Sequence, residues 1–481
     1  MSISLTRHIS LLPFWAWAAI GAGAILFLAL ALVISPLVAL GVFILLGVAG
    51  VIMRSPFIGL LLLVASLPLE RIGAYEVQGM TLRMSQVLLV LITISMGIRL
   101  MGSRLKTPVR YPVTAILGVY MLVAIVSLVN SANIDRSITI LVFTLFTMLL
   151  TWMVPAIVTS EHRVRIVVAT LLVTAGVVSV FGLYQFFGDM IGLPQSMTGL
   201  RDLYTKDVLG FPRIQSTAYE PLYFANYLLF ALSAGLCFLL GKIKLIPVSW
   251  LVTFLLIGCV SFVLTVSRGA YLGLVGALGI IAVYYFKRVF TLRNIVLIPI
   301  IVVAVWWIVV KTLGFGGDAF TLDKFTGHVQ GVFLGASYDE RVATFELARI
   351  AWHEHPFIGI GVGSFGPYTA PHPYVQPKDG WKIVNNEYVE VLAETGILGV
   401  AALALFFSTI MIRSVLTIRR TSSELIRTVM IAALAALVGS LIQYLTFSTL
   451  YIMHIWFLVG MNIALQAVGY FNTRVSTNNS L

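Results

Sequence analysis

The sequence predicts an all-α polytopic membrane protein of about 12–14 transmembrane helices with one large extracytoplasmic loop. Three observations carry that expectation. Hydrophobic residues make up 59% of the chain and charged residues only 10%, with a mean hydropathy of +1.01, whereas a soluble surface is roughly a quarter or more charged. Apolar runs recur along the whole length, and a hydrocarbon core about 30 Å thick needs about 20 such residues at about 1.5 Å each. A single long polar excursion, 313–388, interrupts them.

The apolar runs lie near 14–34, 36–53, 56–68, 85–101, 112–129, 138–157, 164–187, 221–240, 246–266, 270–286, 295–312, 389–412, 428–447 and 451–470. The second and third are short and adjacent, which suits a re-entrant hairpin or tilted helices as well as full spans. The stretch "MSISLTRHISLLPFWAW" enters the first run without a small-residue cleavage pattern, so that span is expected to stay attached. No low-complexity tract or internal repeat interrupts this order. The expected organisation is helices 1–11 over 1–312, including an external loop at 188–220. The large loop at 313–388, C-terminal helices over 389–470 and a cytoplasmic tail at 471–481 follow.

Orientation follows from the loops, because Lys and Arg are retained on the cytoplasmic side and the bias counts mainly in short loops. With the amino terminus inside, the even-numbered loops hold 18 of the 31 basic residues and only Glu161 and Glu424 as acids, a net +16 against −4 outside. The excursion is then extracytoplasmic. The overall charge of +12 does not point to nucleic acid, since the basic residues are spread over many short loops rather than gathered on one face. They read as topology signals and contacts to anionic membrane lipids. Cys237 and Cys259 both lie inside apolar runs and read as small core residues.

Charged groups at the ends of spans cost about 2.5–3.5 kcal/mol to bury near the bilayer, so they tend to line a cavity. Arg213, in "GFPRIQSTAYEP", has a snorkelling role or a ligand role open to it. Arg268, in "LTVSRGAYLG", stands at the outer mouth of two helices against the charge rule, which favours function. Arg341 opens an amphipathic pattern with Val342, Phe345, Ile350 and Trp352, and an exposed ion pair with Asp339 or Glu340 is its plain alternative. Three guanidinium forks at one face suit a diphosphate.

Glu220 opens a span in "YEPLYFANYLL", as a helix-initiating carboxylate or as a general base. In "NNEYVEVLAETGILG", Glu387, Glu390 and Glu394 share one helix face, which calls for a wet cavity, and Asn386 suits an N-cap. The string "GIGVGSFG" has a formal GxGxxG at Gly361, Gly363 and Gly366 but no βαβ context, so a flexible turn is expected rather than a nucleotide site. His353, His355 and His372 do not have the spacing of a compact zinc site, and a structural or substrate-contacting role is expected, with no metal.

Taken in order, the Arg213 segment, "SRGAYLG", the external loop, "RVATFELARIAWHEHPFIGIGVGSFG" and "NNEYVEVLAETGILG" resemble the superfamily of O-antigen ligases and O-antigen and exopolysaccharide polymerases, bacterial membrane glycosyltransferases of the GT-C type. The resemblance covers roughly 170–447. It implies transfer of a glycan from undecaprenyl diphosphate to an acceptor glycan or lipid, in the bacterial inner membrane with the site on the extracytoplasmic face. Neither metal nor other cofactor is implied, and polysaccharide-assembly proteins are further candidate partners. The diphosphate-binding arginines would fall on Arg213, Arg268 and Arg341, with His355 and Asn386 near the substrate. One departure stands out: the family's His position is Asn385, while Asn386, Gly396 and Gly399 keep the rest of the pattern. An amide takes no proton from an attacking hydroxyl, so the catalytic candidates are Glu220, Glu387 and a loop histidine beside Asn385 itself. The departure favours a polymerase over a lipid A core ligase, and a lipid-linked glycan transporter is the rival class.

Overall fold

The computed structural model describes residues 35–71, 75–77, 80–102, 112–204, 212–291, 336–378, 380–448 and 450–478. The expected spans at 14–34 and 295–312 and the first part of the excursion, 313–335, lie outside the described residues. Each of the other twelve expected spans falls on a helix. They are α1 (Pro36–Arg54), α2 (Pro56–Ser66), α3 (Met84–Met101), α4 (Pro112–Ser127), α5 (Ile134–Met148) continued by α6 (Leu150–Ile157), and α7 (Glu161–Met190). There follow α8 (Pro221–Gly241), α9 (Val248–Leu264), α10 (Arg268–Tyr284), α11 (Ala336–Glu354) in the excursion, α12 (Glu387–Arg420), α13 (Glu424–Gln443) and α14 (Met453–Asn478). Among the described residues seven helices are long and apolar enough to cross a membrane, and five shorter apolar helices accompany them. The one β element described is a short antiparallel hairpin, Tyr75–Val77 with Met80–Leu82.

Local sequence explains where these helices start. Asn133, Ser160 and Ser423 each accept a backbone N–H from the first turn of α5, α7 and α13, which satisfies donors a helix start would otherwise leave bare. Pro56 and Pro221 occupy first helical positions, where a missing N–H costs nothing. The outer surface is apolar: Leu122, Val173, Leu256 and Ile412 are all more than 60% exposed, as lipid-facing side chains must be. Polar groups turn inward and pair: the His454 ring nitrogen meets Asn226 Oδ1 at 2.7 Å, and Asn226 Nδ2 donates to Gln443 Oε1 at 2.7 Å. Such pairing is what an apolar solvent demands. Cys237 is buried as expected, but Cys259 is exposed, on the outward face of α9.

Connections alternate strictly between two ends. At one end, Arg99 donates to the Arg54 carbonyl (2.7 Å), Ser423 to Glu161 (2.8 Å), and Arg288 to the Leu240 carbonyl. At the other end, the Arg71 N–H reaches Thr217 O (3.1 Å), Ile214 N–H reaches Leu264 O (3.1 Å), Asn130 donates to Gly359 O (2.9 Å), and Glu387 N–H reaches Tyr444 O (2.9 Å). Among the described residues, Arg54, Arg99 and Arg288, from loops assigned to one side by charge, make their bonds at that first end. The other end holds the excursion and every candidate site residue.

The bundle closes through α10 and α13. A Cβ added to Gly273 would sit 2.7 Å from the Gly439 carbonyl oxygen, and one on Gly439 would sit 2.6 Å from that of Gly273. Small residues let the two backbones approach where lipid supplies no hydrophobic drive between helices.

Candidate active site

The excursion is built on the helix it precedes rather than hanging over the membrane. α12 breaks at Gly396, whose φ of 65° and ψ of −169° are non-helical, and the chain from Pro356 to Phe365 fills the break. Ile360 N–H bonds Ala393 O at 2.9 Å, Gly361 N–H bonds Glu394 O at 2.9 Å, and Ile397 N–H bonds Pro356 O at 2.9 Å. Gly359, Gly361 and Gly363 all take positive φ (72°, 99° and 71°), so that successive N–H groups aim at one place. There the Glu394 carboxylate accepts from Gly363 N–H (2.8 Å) and Phe365 N–H (3.1 Å). The glycine string expected to be a flexible turn is a socket for a buried carboxylate.

Arg136, in the first turn of α5, completes this socket. Its Nε donates to Gly363 O (3.0 Å), its guanidinium lies over the Trp381 ring at 5.4 Å, and its charge acts on both Glu390 and Glu394. Glu390 in turn accepts Val384 N–H at 2.9 Å. The acids expected to need a wet cavity are thus divided. Glu390 and Glu394 are held by backbone donors and one arginine, while Glu387 and Tyr444 border a cavity of about 190 Å³ that continues between α12 and α13 past Leu403, Phe407 and Met411.

Asn386 caps α12 as expected, accepting Tyr388 and Val389 N–H at 3.1 Å each, and its Nδ2 donates to Leu445 O at 3.1 Å. Replacing it by alanine is expected to lower stability by about 1 kcal/mol, read as a fall in unfolding midpoint in detergent. Asn385 just before it holds φ of 57°, a left-handed conformation that Asn tolerates better than most residues.

The three arginines converge. The charges of Arg341 and Arg213 both act on Arg268, although the three come from separate loops. Arg213 is fixed by Nε donating to Thr265 O (3.2 Å), three residues before Arg268, and by the Tyr204 ring at 5.8 Å. Arg341 stands one turn before Thr344, whose hydroxyl approaches the Val384 carbonyl at 3.5 Å, beside Asn385. Gly269, adjacent to Arg268, packs directly on Thr446, and Leu445 holds Asn386. Arg268, Arg341 and Asn385 are thus tied to the same few residues. Burial pushes the Arg213 guanidinium below its usual range, with Tyr204, Tyr271 and Glu220 acting the other way; burial does the same to Arg341, against Glu340. Partly desolvated cations with few anions nearby favour an anionic ligand.

Residues 251–404 match the family model Wzy_C, described as O-antigen ligase. That segment is similar to the O-antigen ligase family. The match supports ligase- or polymerase-type chemistry for the chain, and no curated protein matches it significantly. The matched segment runs from α9 through the break at Gly396 into α12, so it contains Arg268, Arg341, the glycine socket and Asn385. It leaves out Arg213 and Glu220, which reach the matched segment only through the fold.

Around that segment the structure gathers Glu220, a candidate from the sequence, and Arg71, Arg83 and Arg201, which sequence reasoning passed over. Glu220, at the N-terminal edge of α8, spends no side-chain bond on capping its own helix; burial raises its carboxyl, and Arg201 and Arg213 oppose that. Arg201 lies over the Tyr219 ring at 4.8 Å and the Tyr204 ring at 5.6 Å. Arg71 donates to Gly199 O at 2.8 Å, and Arg83 acts on Glu70. All sit in loops already assigned to the outer side, and that shared side was the signal that could have found them. His355 closes α11, its N–H accepted by Ala351 O at 3.3 Å. α11 buries Thr344, Ala348 and Ala351, whereas Val342 and Ile350, expected on its apolar face, point outward. Among the described residues no group of three His, Cys, Asp or Glu side chains is placed to hold a metal.

Proposed function

We propose that this protein transfers a glycan from undecaprenyl diphosphate to a hydroxyl of an acceptor glycan or lipid, at the extracytoplasmic face of the bacterial inner membrane, in assembly of cell-surface polysaccharide. The observation that carries the reading is the meeting of Arg213, Arg268 and Arg341 beside Asn385. A single displacement inverts the anomeric carbon: the acceptor oxygen bonds to that carbon as the bond to the carrier's phosphate oxygen breaks, and the diphosphate departs with the electron pair. Charge grows on that leaving group, and guanidinium groups aimed at developing charge are the usual largest contribution to rate. Arg supplies a fork of donors that matches phosphate oxygens in pairs.

Asn385 in place of histidine favours polymerisation over ligation to lipid A core, and the cavity beside Glu387 and Tyr444 gives a hydrocarbon chain a place next to the site. Incubating the purified protein with a defined undecaprenyl-diphosphate glycan is expected to give lipid-linked product of higher mass. Transfer only to added lipid A core would mark a ligase. Movement of the lipid between leaflets with no product would mark a transporter and overturn the reading.

A further inference from the structure

Loss of the family's histidine leaves the proton of the attacking hydroxyl without an obvious destination, and the structure supplies a pair of groups for it. Glu70 lies just beyond α2, only 7% exposed, and its Oε2 accepts the backbone N–H of Tyr219 at 2.9 Å. Tyr219 directly precedes Glu220, so this bond, across 149 positions in sequence, ties one carboxyl to the residue next to the one carrying the other. The two carboxyls act on each other electrostatically. Among the described residues no ion pair within 4 Å neutralises Glu70.

We propose that Glu70 and Glu220 work as a carboxyl pair holding one proton, in which Glu220 accepts the proton of the acceptor hydroxyl and Glu70 is the positioning residue that keeps the other proton. This rests on the glycosyl-transfer reading above. As the acceptor oxygen bonds to the anomeric carbon and the diphosphate leaves with its electron pair, the hydroxyl proton passes to the Glu220 carboxylate and from there to water. Two carboxyls whose charges act on one another in a poorly solvated site do not both ionise readily, since like charges there repel strongly. Burial raises both groups above the ordinary carboxylate range. Facing Glu70 are Arg83, Glu220 and the Tyr219 N–H; facing Glu220 are Arg201, Arg213 and Tyr204. Tyr223, one turn into α8, stands near both carboxyls and Arg83. The arginines favour one negative charge on the pair, and the neighbouring carboxyl resists a second.

The test is the pH profile of glycan transfer by the full-length protein with an undecaprenyl-diphosphate glycan. For the unaltered protein, turnover is expected to rise as Glu220 ionises and to fall at higher pH as the second proton leaves and the dianion repels the diphosphate. Glu70→Gln keeps an oxygen for the Tyr219 N–H but can never ionise. It is expected to lose the alkaline limb, with kcat near neutrality within about ten-fold of the unaltered protein and KM for the donor within about two-fold. Glu70→Asp keeps a carboxyl and retains the limb, and Glu220→Gln loses about 10²–10⁴-fold in kcat. Both Glu70 variants are expected to unfold within a few degrees of the unaltered protein. An alkaline limb that persists in Glu70→Gln, or turnover by Glu220→Gln within ten-fold of normal, overturns the pair while the transferase reading stands. Absence of product from the unaltered protein overturns both.

Discussion

Replacing Arg268 by alanine is expected to cut glycan transfer by about 10²–10³-fold, the loss of about 2.7–4 kcal/mol seen when one donor to a developing anion is removed. The side chain stands at the N-terminus of α10, where the charges of Arg213 and Arg341 both reach it, so it joins groups from two other loops. Its neighbour Gly269 makes a tight contact with Thr446 that this substitution leaves unchanged, and the variant is expected to insert and unfold like the unaltered protein. Lysine at 268 restores charge without the planar fork and should recover part of the rate. The measurement is product mass from a lipid-linked donor, paired with the unfolding midpoint in detergent. Full activity of the alanine variant would remove Arg268 from the chemistry.

Gly396→Ala is expected to be the most damaging single substitution to the fold. Its φ of 65° with ψ of −169° is a conformation essentially reserved for glycine. An added Cβ would meet the Phe357 backbone carbon at 2.3 Å, on the strand of chain that fills the helix break. Strain and collision together place the cost above about 4 kcal/mol, the range reserved for a short list of severe mechanisms. Gly380 is the control: its φ is 82°, but nothing lies within 4 Å of where its Cβ would be, so alanine there should cost only about 1–3 kcal/mol of backbone strain. Equal losses at the two positions would show that contact with Phe357 contributes nothing.

The spans were legible from sequence because they rest on local features. Apolar runs announce themselves within some twenty residues, and Arg268 stood out for opposing the charge bias of its own loop. The Asn386 cap was readable for the same reason. The sockets were not. Glu70 meets Tyr219 across 149 positions and Arg136 meets Gly363 across 227, and no periodicity reports a hydrogen bond of that separation. The glycines of "GIGVGSFG" look like slack when read alone, and only the break at Gly396 gives their positive φ values a purpose. Hydrogen bonds pair loops at that end that lie far apart in sequence. The apolar pattern of α11 misled because Val342 and Ile350 suggest a face that alanines and Thr344 occupy instead.

The close approach of Gly273 and Gly439 has a bearing on how the protein is made. α10 leaves the ribosome well over a hundred residues before α13, so its glycine-lined groove waits for that partner while those residues are made. The cationic cluster around Arg268 takes its final form only after Thr446 arrives behind Gly269. A nascent chain released early would carry the arginines yet lack the wall that holds them, which keeps half-finished copies from presenting a complete site.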